Sequence, residues 1–446
     1  MNSLEKIEKF RKQTYQILGN ARDALFDLMD SVLTTRQITS FVELSLSPVF
    51  RREWSSIYEA LQDGHPPRQT LMQEYVKHIP DTEDIVLAGD HTAWSRPYAK
   101  TLQDRTYEHQ PTTISGAKPI TVGQGYSTIT WIPESEGSWA LPLLHERITS
   151  FDAPIEKAAN QLRQVCAEIS GQVLFLGDGE YGSAPFLKQT ADINCNKLLR
   201  LRPNRVLYHA PEAYQGHGRP SKHGKKFSLK NEDTWDLAQA EIMTQTPKLG
   251  RLRVRQWDSL HFKQAPDQPF VLILVERLDE PNSKPLWLIW IGKDKPILDQ
   301  IWQKYLRRFA IEHWYRFVRQ RLHWTVPQLS TTKQMETWSD LMLLITWQLW
   351  LARNVVEDAP LPWQKPMTKL TPGRIANSFA ALLVRIASPA SHPKPRGKSL
   401  GWPLGKTRSK RPYCPTVKKG FSKIKKVPED IASYIIFGFT NLSCQF

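Results

Sequence analysis

The sequence predicts an α/β fold built around a mixed sheet, and three observations lead to this prediction. Two β-rich runs, "EDIVLAGDHTAW" (83–94) and "ITVGQGYSTITWI" (120–132), come first and are followed by "WALPLLHERI" (139–148). A helix candidate, "IEKAANQLRQVCAEIS", then ends at Gly171. The apolar strand "VLFLGDGEYG" (173–182) comes next. Strands combined with a helix in this order are typical of a mixed α/β sheet.

Composition and charge limit the possible functions. The 446-residue chain is 40% hydrophobic, enough for a sizeable core in about two to four structural units. Its 60 Lys and Arg against 44 Asp and Glu leave a net charge of +16, which indicates a polyanionic partner. The longest apolar run, 341–352, is too short to span a bilayer, and the N-terminus lacks an export signal. We therefore expect a cytoplasmic, nucleoid-associated protein without a membrane segment.

Residues 1–80 precede the strands and carry helical spacing without strand alternation. The stretches "ARDALFDLMDSVL" and "EWSSIYEALQDG" repeat apolar residues at intervals of three and four, and "GHPPRQ" breaks the pattern. A helical N-terminal unit is therefore predicted.

The two most apolar strands end in the same dipeptide. Gly89-Asp90 closes "IVLAGD" and Gly177-Asp178 closes "LFLGD", so both carboxylates are predicted where the sheet meets solvent. If the strands are neighbours, the two acids repel each other unless a cation neutralises them. The alternative is that each Asp only caps a turn, which is a common use of this residue.

A third acid lies in "YLRRFAIEHWYRFVRQR" (305–321), which is predicted to form one continuous helix. At about 100° per residue, an arc of about 80° holds one acid among cations and a tyrosine: Tyr305, Arg308, Glu312, Arg316 and Arg319. The flank expected to face a core holds Trp302, Leu306, Phe309 and Phe317. A row of i,i+4 salt bridges would explain part of the charged face. Three arginines for one glutamate exceed what pairing requires, which favours a face that phosphates visit.

These residues resemble a known family, the insertion-sequence transposases with an RNase H-like DDE catalytic domain. The resemblance is to the group with a Tyr-x2-Arg-x3-Glu-x6-Lys helix, and Tyr305, Arg308 and Glu312 match its spacing. Arg319 stands where the group has Lys, so the charge is kept but the donor geometry changes. The expected DNA-binding residues on this helix are Tyr305, Arg308, Arg316 and Arg319.

Asp90 and Asp178 match the two strand-borne aspartates of that family. The long interval from Asp178 to Glu312 resembles the β-rich insertion that the group carries before its catalytic helix. The implied fold is an RNase H-like mixed sheet with this insertion, a helical N-terminal unit and a basic C-terminal tail. The implied units are a helical N-terminal DNA-binding unit (1–80), the first part of the RNase H-like catalytic core (81–202), the β-rich insertion (203–296), the catalytic helix with C-terminal helices (297–386) and a basic Pro-rich tail (387–446).

The resemblance also implies the chemistry. Asp90, Asp178 and Glu312 would be the catalytic residues and would hold two Mg²⁺ ions, with Mn²⁺ able to substitute. Two divalent ions bound by carboxylates activate a water or 3′-hydroxyl and stabilise the leaving oxygen in an in-line phosphodiester displacement. The implied activity is cleavage of double-stranded DNA at the terminal inverted repeats of an insertion sequence, followed by transfer of the 3′-OH to target DNA. Joining two DNA ends implies at least a homodimer.

Three further segments are candidates for DNA contacts. Gly218-Arg219-Pro220 resembles a minor-groove element in which Arg219 contacts A·T-rich DNA, with a plain basic surface loop as the alternative. Trp257, Trp287 and Trp290 are candidates for stacking on a flipped base, with Trp287 as the expected DNA-binding residue. Trp287 and Trp290 have opposite parity in one strand, so at most one of them should face DNA. Residues 391–426 hold twelve Lys or Arg and no acid, typical of an arm along a phosphate backbone or of a solvated tail.

The roles of two neighbours of the aspartates stay open. His91 is either a structural neighbour of Asp90 or a metal ligand, and Glu180 is either a solvent-facing turn residue or a further acid of the site. Two alternative functions also stay open. A catalytically inactive, transposase-derived DNA-binding protein need not keep all three acids. An RNase H-like DNA nuclease would share the acids but has no evident use for the Arg-rich helix or the basic tail.

Overall fold

The structure is a computed structural model that describes residues 2–419 except 82–83, 111–118, 215, 217–218, 281, 395–400, 402 and 408. Its helices are α1 (Ser3–Ile17), α2 (Arg22–Thr34), α3 (Phe41–Leu44), α4 (Ser55–Asp63), α5 (Arg68–Val76), α6 (Pro154–Glu168), α7 (Ala184–Gln189), α8 (Leu298–Leu306), α9 (Phe309–Gln320), α10 (Thr332–Ala352) and α11 (Pro372–Ile386). Its strands are β1 (Asp84–Ser95), β2 (Thr106–His109), β3 (Ile120–Trp131), β4 (Leu141–Ile148), β5 (Gln172–Gly177), β6 (Asn196–Arg200), β7 (Val206–Tyr208), β8 (Lys226–Ser228), β9 (Ala240–Thr246), β10 (Gly250–Phe262), β11 (Ala265–Arg277) and β12 (Leu286–Ile291). The predicted mixed α/β class is confirmed.

One mixed sheet runs through the described part of the chain. Its order is β2-β3-β1-β5-β6-β12-β11-β10-β7-β8, with β4 beside β3 and β9 beside β10. β1 pairs antiparallel with β3 and parallel with β5, and β5 pairs parallel with β6. The apolar residues 85–88 and 173–176 are all buried, because central parallel strands are covered on both faces. The most buried part of the sheet therefore ends at the two aspartates.

The predicted order of strand, strand, strand, helix and strand is present as β1, β3, β4, α6 and β5. The structure adds β2, which pairs with β3 at the edge of the sheet. The strand "TYEH" has four residues and no long apolar run, so no sequence pattern predicted it.

The β-rich segment expected as an insertion continues the same sheet. β12 pairs antiparallel with β6, with Ile289 opposite Leu199. Since β6 is the direct neighbour of β5, residues 203–296 are joined through β6 to the sheet that carries the aspartates.

The N-terminal helices are present as predicted, but their core is shared with the end of the chain. α1, α2 and α4 pack against α10, and α2 also packs against α11. Arg11 of α1 forms a buried ion pair with Asp30 of α2 at 2.8 Å and donates a second hydrogen bond to Gln348 of α10. The apolar run 341–352 is the buried second half of α10. Among the described residues, no helix is long and apolar enough to cross a membrane.

The segment predicted as one continuous helix is two helices, so that prediction is wrong. α8 ends at Leu306 and α9 begins at Phe309, because the backbone between them forms i→i−3 hydrogen bonds. The Arg308 N–H donates to the Tyr305 carbonyl at 3.0 Å, and the Ile311 N–H donates to the Arg308 carbonyl at 3.1 Å. Such bonds tighten the turn. Phe309, predicted to face the core, is instead 42% exposed.

The described end of the basic tail lies against the sheet edge. The Val417 N–H donates to the Arg105 carbonyl at 2.8 Å, and Lys419 Nζ lies 2.6 Å from Glu108 Oε2 on β2. The described residues between 403 and 413 are exposed. The arm expected from the sequence is thus tied down at 414–419, whereas its later basic residues and Trp402 lie outside the described residues.

Candidate active site

Two adjacent strands bring Asp90 and Asp178 together. Asp178 directly follows β5, as predicted, but β1 continues to Ser95, so the predicted strand end at Asp90 is wrong and Asp90 lies within β1, opposite Thr128 of β3. The parallel register pairs Ala88 of β1 with Leu176 of β5, and each aspartate follows two positions later. A glycine precedes each aspartate; a Cβ at Gly89 would lie 2.6 Å from a ring atom on the neighbouring strand, too close for any other residue. The two strands are therefore the neighbours that the hypothesis of a paired acid site requires.

Asp90 shows how strongly the site concentrates negative charge. Burial raises the pKa of Asp90 to about 6; the nearby Arg308 opposes this rise, and the charge of Asp178 adds to it. The Asp90 side chain is 20% exposed, so solvent reaches it only in part. A carboxylate in this position needs a proton, an arginine or a metal cation to balance it.

Backbone N–H groups orient both aspartates. The His91 N–H donates to Asp90 Oδ1 at 2.8 Å, and the Glu180 N–H donates to Asp178 Oδ1 at 2.9 Å. The side chains of His91 and Glu180 also meet, with 3.4 Å between Nδ1 and Oε2, and this contact lowers the pKa of Glu180. Glu180 therefore contacts a neighbour of the site in addition to solvent.

Glu312 approaches from α9, and Arg308 lies between the acids. Arg308 Nη2 donates to Glu312 Oε1 at 2.7 Å, and Arg308 Nη1 lies 3.5 Å from Asp90 Oδ2. Arg308 is 5% exposed, whereas the Glu312 side chain is 47% exposed. Burial alone would lower the pKa of Arg308, but Tyr305, Asp90 and Glu312 outweigh it and raise that pKa. Arg308 is thus a charged, buried counterion within a group of acids.

Several buried polar atoms beside these acids make no hydrogen bond to any described residue. The hydroxyl of Tyr305 and the Nε and Nη1 atoms of Arg308 make no hydrogen bond to the described residues. Because buried donors are normally satisfied, these atoms are available for an additional acceptor. A phosphate oxygen would meet that need.

α9 is held on the sheet by two side chains. The Tyr315 hydroxyl donates to the Asp90 carbonyl at 3.1 Å and lies 2.7 Å from Thr128 Oγ1 on β3. Arg319 donates to the Ala93 carbonyl at 3.2 Å. The helix that carries Glu312 is therefore fixed directly to the backbone around Asp90.

Sequence reasoning missed Tyr315 and Thr128. Tyr315 lies about 20° outside the arc counted on the helix, so a slightly wider arc would have included it. Thr128 gave no signal, because its partner is 187 residues away in the chain.

The residues expected to bind DNA fall into two groups. Arg316 and Arg219 are exposed, and Arg316 forms no ion pair with any residue that the structure describes. Tyr305 is 2% exposed, and Arg319 donates a hydrogen bond to the Ala93 carbonyl on β1. Both side chains therefore pack inside the protein and do not face DNA. Gly218, which precedes Arg219, lies outside the described residues.

Trp287 was expected to stack on a DNA base, but it is 1% exposed. Its ring packs on Trp235 and Trp257, with centroid distances of 5.2 and 6.1 Å. Trp290 is 8% exposed and donates its Nε1–H to the Asp294 carbonyl. Stacking on a base needs an uncovered ring, so this position speaks against that role for Trp287, whose ring fills the core.

The donor atoms of the site suit a hard divalent cation. Asp90, Asp178 and Glu312 offer only carboxylate oxygens, which are the ligands Mg²⁺ prefers. Within the described ranges, no group of three acidic, His or Cys side chains is close enough to hold a metal ion, and Glu312 is paired with Arg308. The three carboxylates fit a metal centre in their chemistry and charge.

A comparison with protein families matches residues 13–261 to the DDE superfamily endonucleases. This match covers more than half of the chain and includes both strand-borne aspartates. The chain belongs to the DDE superfamily endonuclease family. Membership confirms the resemblance found in the sequence and implies an RNase H-like fold, a phosphodiester-cleaving activity on DNA and the divalent metal ions typical of DDE endonucleases.

The match ends before α8 and does not include Glu312. The assignment of Glu312 as the third acid is therefore supported by the sequence motif and the structure alone. A comparison with curated proteins gave no match.

Proposed function

We propose that this DDE endonuclease is an insertion-sequence transposase. It would cleave DNA at the ends of its element and transfer the resulting 3′-OH to target DNA. The observation that carries the proposal is the group formed by Asp90, Asp178 and Glu312 around Arg308. The family match supports the cleavage chemistry, and the Tyr-Arg-Glu spacing supports the transposase group in particular.

In this proposal the three carboxylates are the catalytic residues. Asp90, Asp178 and Glu312 would hold two divalent ions, Mg²⁺ or Mn²⁺, which when bound activate the attacking oxygen and stabilise the leaving oxygen. Arg308 would bind the scissile phosphate through its Nε and Nη1 atoms, which make no hydrogen bond to the described residues. The buried Tyr305, whose pKa Arg308 affects, would help to hold the Arg308 guanidinium in the site.

DNA would continue from the site along exposed basic groups. Arg316 follows Glu312 by one helical turn, and its exposed side chain would contact a phosphate. Arg219 and the described part of the tail add positive charge elsewhere on the surface, in a chain whose net charge is +16. The substrates would be the terminal inverted repeats and target DNA, held by a homodimer because two DNA ends are joined.

The first test is cleavage of a labelled duplex that carries the element's own end. The wild-type chain and a Glu312→Gln variant would be compared in Mg²⁺ and in EDTA. We expect metal-dependent nicking at the end of the element, lost by at least about 100-fold in the variant, with DNA binding retained. A Glu280→Gln variant is the matched control, because Glu280 lies in an exposed ion pair with Arg277.

Each other outcome selects an alternative. Tight binding of the end without cleavage in any metal would favour an inactive DNA-binding protein. Metal-dependent cleavage without preference for the element's end, and without strand transfer, would favour a general DNA nuclease of the same fold.

A further inference from the structure

We infer that His91 and Glu180 form a bridge that fixes the separation of Asp90 and Asp178. The two are positioning residues that act on metal binding through the aspartates. This inference rests on the proposed function, in which both aspartates are metal ligands.

The bridge is a contact between the side chain of His91, which lies within β1, and that of Glu180, in the turn after β5. His91 Nδ1 lies 3.4 Å from Glu180 Oε2. The His91 ring is 15% exposed and stacks on the buried Tyr181 ring, with 5.3 Å between centroids and 27° between planes. His91 Nε2 also lies 3.4 Å from the Tyr181 hydroxyl. Both ring nitrogens therefore have polar neighbours, and the ring has a packed surface beneath it.

The same two residues hold the aspartates through their backbones. The His91 N–H donates to Asp90, and the Glu180 N–H donates to Asp178. The side-chain contact thus closes a loop of four residues in which each aspartate is fixed to one half of the bridge. A shift of either half would be passed directly to a carboxylate.

The backbone ladder does not supply this link. The paired residues of β1 and β5 end at Ala88 and Leu176, so both aspartates lie beyond the last pair. Past that point the two like charges repel each other. The contact between His91 and Glu180 links the two strands past this point, and so opposes the separation of the two carboxylates.

Glu180 is better placed to position a ligand than to be one. Its Oε2 faces His91, and its Oε1 lies 3.4 Å from Arg202. With a partner on each oxygen, the carboxylate is occupied before any metal binds. Groups that orient metal ligands in this way change metal affinity by about 10–100-fold when they are removed.

The test is direct Mn²⁺ binding to the full chain without DNA, measured by loss of the free-ion electron paramagnetic resonance signal. The variants are His91→Phe, which keeps a ring to stack on Tyr181, Glu180→Gln, and the double variant. We expect each single variant to bind Mn²⁺ roughly 10-fold more weakly, and the double variant to be no weaker than either single one. Asp192→Asn is the control, because Asp192 forms an exposed ion pair with Arg163 far from the aspartates.

DNA-end cleavage adds a second readout. In the single variants the Mn²⁺ concentration for half-maximal cleavage should rise, while the rate at saturating Mn²⁺ stays near the wild-type value. A general loss of folding would lower the Mn²⁺ affinity and the cleavage rate at saturating Mn²⁺, and it would also change the thermal unfolding transition.

Three results would overturn the inference: wild-type affinity in both single variants, weakened binding in Glu180→Gln alone, or no Mn²⁺ binding by the wild-type chain. Weakened binding in Glu180→Gln alone would make Glu180 a direct ligand. A further outcome is that the wild-type chain binds Mn²⁺ and the variants bind it more weakly, while neither the wild type nor any variant cleaves the DNA end. In that case the inference about the bridge stands and the proposed function fails.

Discussion

At the scale of single residues, burial decides which groups stay neutral near the site. His145 on β4 is 1% exposed and is enclosed by aromatic rings. It stacks on Tyr126 at 4.8 Å and meets Trp314 and Trp324 edge-on. Burial, with a smaller effect of nearby arginines, lowers the pKa of His145 to about 3. The folded protein therefore keeps this imidazole neutral at pH values where the unfolded chain protonates it.

We expect His145 to make stability fall as pH falls below the ordinary histidine pKa of 6.5. Between that pH and about 3, the unfolded state binds a proton that the folded state does not. At pH 5.5 the loss relative to pH 7.5 should be about 1.4 kcal/mol in the free energy of unfolding. Denaturant unfolding at the two pH values measures it.

The comparison for this prediction is His145→Phe, which keeps a buried ring and cannot titrate. The free energy of unfolding of this variant should change less between pH 7.5 and 5.5 than that of the wild type. The difference should be the loss of about 1.4 kcal/mol expected from His145. His65→Phe, at an exposed position, should keep the wild-type difference. Equal pH dependence in wild type and His145→Phe would contradict the assignment.

The acids could be found in the sequence because each one has a local signature. Asp90 and Asp178 each follow an apolar run and a glycine, and Glu312 lies at fixed spacing from Arg308. His145 and Tyr315 could not be found, since their roles depend on Thr128, which reaches both of them through tertiary contacts.

At the scale of elements, Arg319 joins α9 to β1. Its guanidinium lies over the rings of Tyr315 and Trp324, at 6.0 and 5.9 Å, and bonds to the Ala93 carbonyl and the Thr92 hydroxyl. The residue that the sequence suggested for DNA contact is thus used to position the helix.

We expect Arg319→Lys to destabilise the protein, although Lys is the residue of the family motif. A lysine ammonium lacks the planar fork that reaches two acceptors and stacks on rings. The loss should be about 1–3 kcal/mol in the free energy of unfolding. Arg316→Lys, on the exposed face of the same helix, should leave stability unchanged and weaken DNA binding only slightly. Unchanged stability in Arg319→Lys would show that the charge alone holds α9.

Element boundaries were less predictable than element types. The 3.6-residue pattern of 305–321 indicated a helix but could not reveal the i→i−3 bonds that separate α8 from α9. The pairing of β12 with β6 was also hidden, because strand patterns give no information on which distant strand is the neighbour.

At the scale of the whole molecule, the N-terminal helices are part of one core. Arg11 and Asp30 are both buried, and their contact with α10 ties the first residues of the chain to residue 348. Net charge and apolar spacing predicted a basic helical protein, but no local pattern links segments more than 300 residues apart.

We expect Asp30→Ala to lower the free energy of unfolding by about 3–5 kcal/mol, because Arg11 would be left buried without a counterion. Circular dichroism reports the loss of helix and tryptophan fluorescence reports the exposure of the core. The unfolding transitions measured by these two signals should shift together. Asp279→Ala, which removes an exposed ion pair with Arg251, should change stability by less than about 1 kcal/mol. Separate transitions for the two signals would contradict a shared core.

During synthesis, α1 and α2 are made long before the helix that covers them. Asp30 and Gln348 are separated by more than 300 residues, and ribosomes add about 5–20 residues per second. The apolar faces of the first helices therefore stay uncovered for roughly 15–60 s in every new chain. In that interval each nascent chain presents the kind of surface that chaperones bind, so the yield of folded protein depends on the pace of translation as well as on the final contacts.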